Sequence, residues 1–284
     1  MKQALLDLGK SQSEVIDKLT SIGEGISQQN DIFGDAESEI SRHHKRTFEW
    51  ILEHEHKDVQ FINWLRHGYG TFHFAGKPGS GKSTLFKFMV NHNRVIQNLE
   101  EWASLADKQL VLSKFFFWGL GSNDQKSVPG LIRGLLSEIC TSNSSITKLI
   151  FPNLWGKRGF CFFIDGLDEF NGTEMTHWKL SRMLLDWAQL PAGSSSPDSF
   201  LKICVSSRED HSIMTVFQNS PQVRLQDITK GDMSALVEDS LLRNEYFHRL
   251  QTKAPIECQE LINSILEGAD GVFLWVSLLL NMLE

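Results

Sequence analysis

The chain has 284 residues, of which 41% are hydrophobic and 22% charged, with a formal net charge of −7. That length suits one α/β domain with an appended helical part, or two small domains. The acidic balance excludes a nucleic-acid scaffold, whose affinity rests on clustered Lys and Arg. The four cysteines (Cys140, Cys161, Cys204, Cys258) are scattered, with neither metal-ligand spacing nor a disulfide pattern, and read as small core residues of a reducing compartment.

Residues 1–30 place Leu5, Leu8, Val15, Leu19, Ile22 and Ile26 at alternating spacings of three and four, with Gln12 at one seam position. This heptad-like stripe predicts a helix that lies on its own domain or serves as a self-association or regulatory element. Residues 31–40 read as a polar linker. Residues 41–66 return to helical character, anchored by Phe48, Trp50, Ile51, Val59, Phe61, Ile62, Trp64 and Leu65.

The next stretch carries the chemistry. Thr71–Ala75 is a short apolar run suited to a buried strand, and Thr84–Val90 suits a helix. Between them Gly76, Lys77, Pro78, Gly79, Ser80, Gly81, Lys82 and Ser83 spell G-x-x-x-x-G-K-S, and the strand–loop–helix context makes this string a phosphate site. Glycines let backbone N–H groups curl around an anion, and the helix N-terminus adds positive potential. Lys82 is placed to reach terminal phosphates, and Ser83 to offer a hydroxyl to Mg²⁺.

Further along, Leu110–Trp118 reads as a strand and Val128–Ile139 as a helix with Pro129 near its start. Phe160–Ile164 is an unbroken apolar run, as in a strand buried on both faces of a parallel sheet. It ends in Asp165, where open α/β sheets bind ligands and where a carboxylate can hold Mg²⁺. Asp168 and Glu169 follow one short turn later, and one of them is the candidate base or positioner of an attacking water. Ser194–Pro197 reads as a loop, Leu201–Val205 as a strand leading to Arg208, a candidate sensor of γ-phosphate charge. Val223–Leu225 is a short fifth strand. From Asp227 the chain turns helical, with Thr229 as an N-cap and further helices over 259–268 and 271–283. The last of these is too short to span a membrane, which takes about 20 residues, and is expected to be a core helix. The polar N-terminus argues against a signal peptide, so a cytoplasmic chain is expected. Thr229-Lys230-Gly231-Asp232 matches a short guanine-reading pattern, but Asp165-Gly166-Leu167-Asp168 lacks the D-x-x-G that accompanies it, which favours adenine.

Taken together, Arg46–Ile51, Phe72–Thr84, Phe162–Phe170, Lys202–Arg208 and Ala269–Val276 resemble the NACHT class of STAND NTPases, in the form found in fungal NOD-like receptors and nephrocystin-like N-terminal domains. The resemblance covers roughly 41–284. It implies a P-loop NTPase with a five-stranded, mainly parallel sheet of order 5-1-4-3-2 and a helical subdomain after it. The domain reading is then an N-terminal helix and linker over 1–40, the NTPase domain with its preceding helical segment over 41–227, and the helical subdomain over 228–284. The resemblance also implies ATP/ADP binding with Mg²⁺ and slow hydrolysis used as a conformational switch. Lys82, Ser83 and Thr84 would hold phosphates and metal, Asp165 would hold Mg²⁺, Asp168 and Glu169 would support hydrolysis, and Arg208 would be the sensor. The region of Phe48 would lie near the base. Three departures stand out: Glu209 follows Arg208 where family members have Pro, residues 141–159 leave little room for a further helix, and the family's winged-helix and repeat domains have no counterpart in these residues. Two other functions compete, a non-hydrolysing nucleotide-binding interaction module and, ranked last, a P-loop small-molecule kinase, for which basic residues between 119 and 160 are sparse.

Overall fold

In the computed structural model, residues 47–52, 60–142, 158–172, 175–189 and 200–283 are described. The expectations for the N-terminal stripe, the polar linker, most of the 141–159 connection and the Ser194–Pro197 loop lie outside them. Five strands form one sheet: β1 (Gly70–Ala75), β2 (Gln109–Phe116), β3 (Arg158–Asp165), β4 (Leu201–Ser207) and β5 (Gln222–Arg224). Their order is β2-β3-β4-β1-β5, which is the expected 5-1-4-3-2 read from the other edge, and every pairing is parallel.

The register aligns the strand ends. Ala75 lies opposite Ser207 and Arg224, Phe116 opposite Asp165, and Ile164 opposite Val205. Each strand therefore delivers its following loop to a single edge, where parallel sheets build their sites. Helices cover both faces, as a sheet apolar on both sides requires. On one face α1 (Phe61–His67), α2 (Lys82–Asn91) and α3 (Asn93–Ser104) pack Phe61, Leu85, Phe86 and Leu99 against Phe72, Phe74 and Phe163. On the other, α4 (Val128–Ser142), α5 (His177–Gln189) and α6 (His211–Phe217) pack Leu131, Leu180, Leu184 and Phe217 against Phe115, Ile164, Ile203 and Val205. Cys161, Cys204 and Cys258 are buried free thiols, matching the core role expected for them.

After the short α7 (Leu225–Ile228), helices α8 (Lys230–Arg243), α9 (Glu245–Lys253), α10 (Pro255–Ala269) and α11 (Phe273–Leu283) share a separate cluster built on Met233, Val237, Ile262, Ile265, Val276 and Leu280. Among the described residues no helix is long and apolar enough to cross a membrane.

Three local expectations need correction. The described part of 41–66 is two pieces rather than one helix, a 3₁₀ turn at Glu49–Leu52 and α1. Phe48, at φ 69°, is left-handed and cannot continue a helix. Thr229 occupies the N-cap position of α8, but its side chain makes no cap bond and its buried hydroxyl has no partner. The 271–283 segment is a core helix on one side only: Val276 and Leu280 are buried, whereas Leu274, Trp275, Leu278 and Met282 are exposed.

Candidate functional site

The glycine-rich loop over residues 76–81 joins β1 to α2. Gly79 and Gly81 both have positive φ, 72° and 90°, a conformation that glycine takes without steric cost. Space is tight as well. A Cβ on Gly79 would stand 2.9 Å from the Leu274 side chain, and one on Gly81 would stand 3.3 Å from the rings of Phe273 and Phe48. The turn thus aims the first N–H groups of α2 into a cleft of about 370 Å³. Pro78, Gly79, Gly81, Lys82, Ser83 and Thr84 line one wall. Gly166, Asp168, Glu169, Ser206 and Arg208 line the opposite wall, and Phe273, Leu274 and Ser277 of α11 close the flank.

Lys82 is buried, and its Nζ donates to the carbonyl oxygens of Gly76 (2.9 Å) and Lys77 (3.0 Å). Burial pulls its ammonium below the ordinary lysine value, while the nearby carboxylates of Asp168 and Asp165 pull it back. The remaining loop residues serve as walls and anchors. Ser80 is fully buried beside Gly76 with its hydroxyl unpartnered. Lys77 is held from the C-terminal helices, with its Nζ on both the carboxylate and the backbone carbonyl of Asp270.

Asp165 ends β3, separated from β1 by β4 alone, at the same sheet edge as Lys82. Burial pushes its carboxyl up to about 6, against the opposing influence of hydroxyl bonds from Ser206 and Ser83 and of the Lys82 charge. The Ser83 hydroxyl and the Asp165 carboxylate are therefore in direct contact, a donor set of oxygen atoms suited to a hard divalent cation. Ser206, at the end of β4, donates to Asp165 and accepts from the Gly166 N–H at 2.8 Å, which orients the carboxylate.

The two carboxylates of the next turn are both engaged. Asp168 accepts from the backbone N–H of Arg208 at 2.8 Å and pairs with its guanidinium Nε at 2.9 Å. Glu169 accepts from the Gly119 N–H at 2.8 Å, fastening the loop after β2. Behind the loop, His73 on β1 bonds Ser207 through Nε2 at 2.9 Å and packs on Phe217. Burial, with some help from the Lys82 charge, lowers it to about 4, so it is neutral at pH 7.

Phe48 lies against the site, but it is buried between Phe88 and Phe273, with ring centroids 6.2 and 6.0 Å away. The Asp232 carboxylate accepts from the Phe48 N–H and the Trp50 indole N–H, both at 2.8 Å. In the guanine-like string, then, Asp232 anchors the segment before α1.

The geometry brings together all the residues singled out in the sequence, Gly76 through Thr84, Asp165, Asp168, Glu169 and Arg208. It adds five to which the sequence gave no site role: Ser206, Asp270, Phe273, Leu274 and Ser277. Ser206 carried one weak signal, a hydroxyl at the end of an apolar strand. The other four reach the site only through tertiary packing.

A five-stranded all-parallel sheet flanked by helices, with a glycine-rich loop between its first strand and the following helix, is a fold of P-loop NTPase type. Residues 46–160 match the family model described as Nephrocystin 3, N-terminal. That match contains the phosphate loop and β2 and stops before Asp165, Asp168, Glu169 and Arg208. No curated protein matches the chain.

Proposed function

We propose that this chain is a nucleotide-binding module of NACHT type, binding ATP and ADP with Mg²⁺ and acting as a STAND-like conformational switch. The observation that carries the reading is the convergence of Lys82, Ser83 and Asp165 at one sheet edge, with the Ser83 hydroxyl on the Asp165 carboxylate. The match to the nephrocystin-3 N-terminal family over the phosphate-loop half supports it. The fit of a polyphosphate rests on three local features: the left-handed glycines, the unpartnered buried Ser80 hydroxyl, and the buried ammonium.

A divalent cation bound by Ser83 and Asp165 would neutralise phosphate charge. Lys82 then supplies a buried positive group, and Arg208 stands across the cleft, restrained by Asp168. A switch needs the two liganded forms to differ in contacts with a movable part. Helix α11 provides that part, because the Leu274 N–H donates to the Gly79 carbonyl of the loop at 3.1 Å and Asp270 holds Lys77.

One observation favours a second reading, a module that keeps its nucleotide without turning it over. Both oxygens of Asp168 are engaged by Arg208 and one oxygen of Glu169 by the Gly119 N–H, so each carboxylate is in part committed to a structural contact rather than to an attacking water. Hydrolysis by this site is accordingly slow under the first reading and absent under the second, and phosphate release from ATP over hours separates them.

Calorimetric titration of the full chain with ATP, ADP and GTP, with and without Mg²⁺, tests the binding itself. We expect heat from both adenine nucleotides, tighter ATP binding with Mg²⁺, and GTP at least about tenfold weaker, a factor worth 1.4 kcal/mol. No binding of either adenine nucleotide would overturn the reading. Ser206→Ala is expected to release the Asp165 carboxylate from its orienting hydroxyl and weaken the Mg²⁺-dependent part of ATP affinity by about tenfold, the usual scale for such supporting groups. The same titration without Mg²⁺ should be nearly unchanged.

A further inference from the structure

Helix α11 turns Val276 and Leu280 into the helical cluster and sets Phe273 against Phe48. Its other side is equally apolar. Leu274 and Leu278 are 57% exposed, Trp275 40% and Met282 84%, and at 3.6 residues per turn the four fall within an arc of about 100°. No charged residue interrupts Phe273–Leu283. Only Ser277 and Asn281, one turn apart, interrupt its apolar surface, and an exposed apolar face of this width marks an interaction surface.

Three observations select what covers it. The described chain enters at Thr47 and Phe48, both buried, with the Phe48 N–H on Asp232 and its ring 6.0 Å from that of Phe273, the first residue of α11. Whatever precedes residue 47 is therefore delivered to the start of the exposed stripe. Next, the preceding segment carries its own apolar series, Leu5, Leu8, Val15, Leu19, Ile22 and Ile26. Last, 20 residues separate Ile26 from Thr47, and a chain of that length with coil dimensions spans roughly 25 Å, against about 16 Å for α11, so length permits the placement.

We infer that residues 5–26 of this same chain lie along the Leu274, Trp275, Leu278 and Met282 face of α11. The stripe begins where Leu274 meets Gly79, so the docked segment flanks the nucleotide cleft, but the docking is independent of the nucleotide reading.

The test is photo-crosslinking in the full chain with benzoylphenylalanine in place of Leu278, an exposed position that tolerates the change, and with the same group in place of the exposed Glu260 on α10 as a control. The expected product has monomer mass, joins position 278 to peptides from residues 1–26, and forms at least about fivefold more than from position 260. Leu8→Asp combined with Leu19→Asp should reduce it at least about fivefold. A product of dimer mass, which would mean a second copy on this face, overturns the inference. So does attachment elsewhere in the chain, equal yield from position 260, or no product. ATP titration of the Leu278 variant reads the nucleotide proposal separately, so either can fail alone.

Discussion

Lys82→Ala is expected to weaken Mg²⁺-ATP binding by at least about 100-fold, to below detection in calorimetry, while the chain stays folded. The argument is electrostatic. In the described structure the ammonium is buried and its donors point at the loop carbonyls of Gly76 and Lys77. Carrying a positive charge into that position costs desolvation, which lowers its proton affinity, and the carboxylates of Asp168 and Asp165 only partly offset the cost. A charge held there against desolvation has its effect when it meets anionic oxygens, where hydrogen bonds to charged groups contribute roughly 1.5–3 kcal/mol each. Losing two of them corresponds to at least about 100-fold at 1.4 kcal/mol per tenfold. The Gly76 carbonyl is buried and loses its donor, so the variant is expected to be less stable by about 1–3 kcal/mol as well, a loss read separately as the unfolding midpoint. Lys82→Met, which keeps the stem, should behave as Lys82→Ala does in binding. An affinity within about threefold of the unaltered chain in both variants would show that the loop does not carry the nucleotide.

How much of this was legible in the sequence depends on how local each requirement is. The glycine-rich turn between a strand and a helix was legible, because eight consecutive residues hold the turn, the glycine conformations and the lysine. Asp165 was legible because an apolar run ending in a carboxylate marks the end of a buried strand. The sheet order came from the family resemblance, since strand order depends on which crossovers pack, and no residue pattern in β1 says that β4 will be its neighbour. Ser206 was hidden because its role exists only through the register that sets β4 beside β3. Asp270 and Leu274 were more hidden still: their contacts with Lys77 and Gly79 span nearly two hundred residues of chain. Among the helices, α3 carries Val95, Leu99 and Trp102 at i, i+4 and i+7 and could have been read from that periodicity. The break at Phe48 could not, because its left-handed backbone answers to Asp232 in a helix far along the chain.

Lys202 shows the same limit from the stability side, and it makes the second large prediction. In sequence it is one lysine in an apolar strand, where an exposed edge position would be the ordinary reading. In the structure it is fully buried. Its Nζ donates to the Trp64 and Leu65 carbonyls, at 2.6 and 2.5 Å, in the last turn of α1. It also sits 4.3 Å from the Trp102 ring centroid and 5.2 Å from that of Trp64. The helix end and the indole faces favour the ammonium, yet burial prevails and brings it down from 10.5 to about 7.

The sign follows from proton counting. Between pH 7 and 10.5 the unfolded chain holds a proton at this position that the folded chain has shed, so stability rises with pH across that window. The slope is at most about 1.4 kcal/mol per pH unit. Other shifted groups act elsewhere or equally in both proteins. His73, lowered to about 4, and Asp165, raised to about 6, finish titrating by about pH 7. Cys161, raised by burial to about 12, and Cys204, also raised well above its ordinary value by burial, keep their protons in the fold and oppose the trend from about pH 8 upward in both proteins. Lys82 is common to both proteins in the comparison and cancels. Urea midpoints at pH 7, 8 and 9 should therefore climb more steeply for the unaltered chain than for Lys202→Met, which fills the same space without a charge. At pH 7 the variant loses two bonds to helix carbonyls as well as a costly buried charge, so its absolute stability is the less informative number and the difference in slope is the decisive one. An equal climb in both proteins would mean that Lys202 keeps its proton throughout, with the helix end and the two indoles outweighing burial.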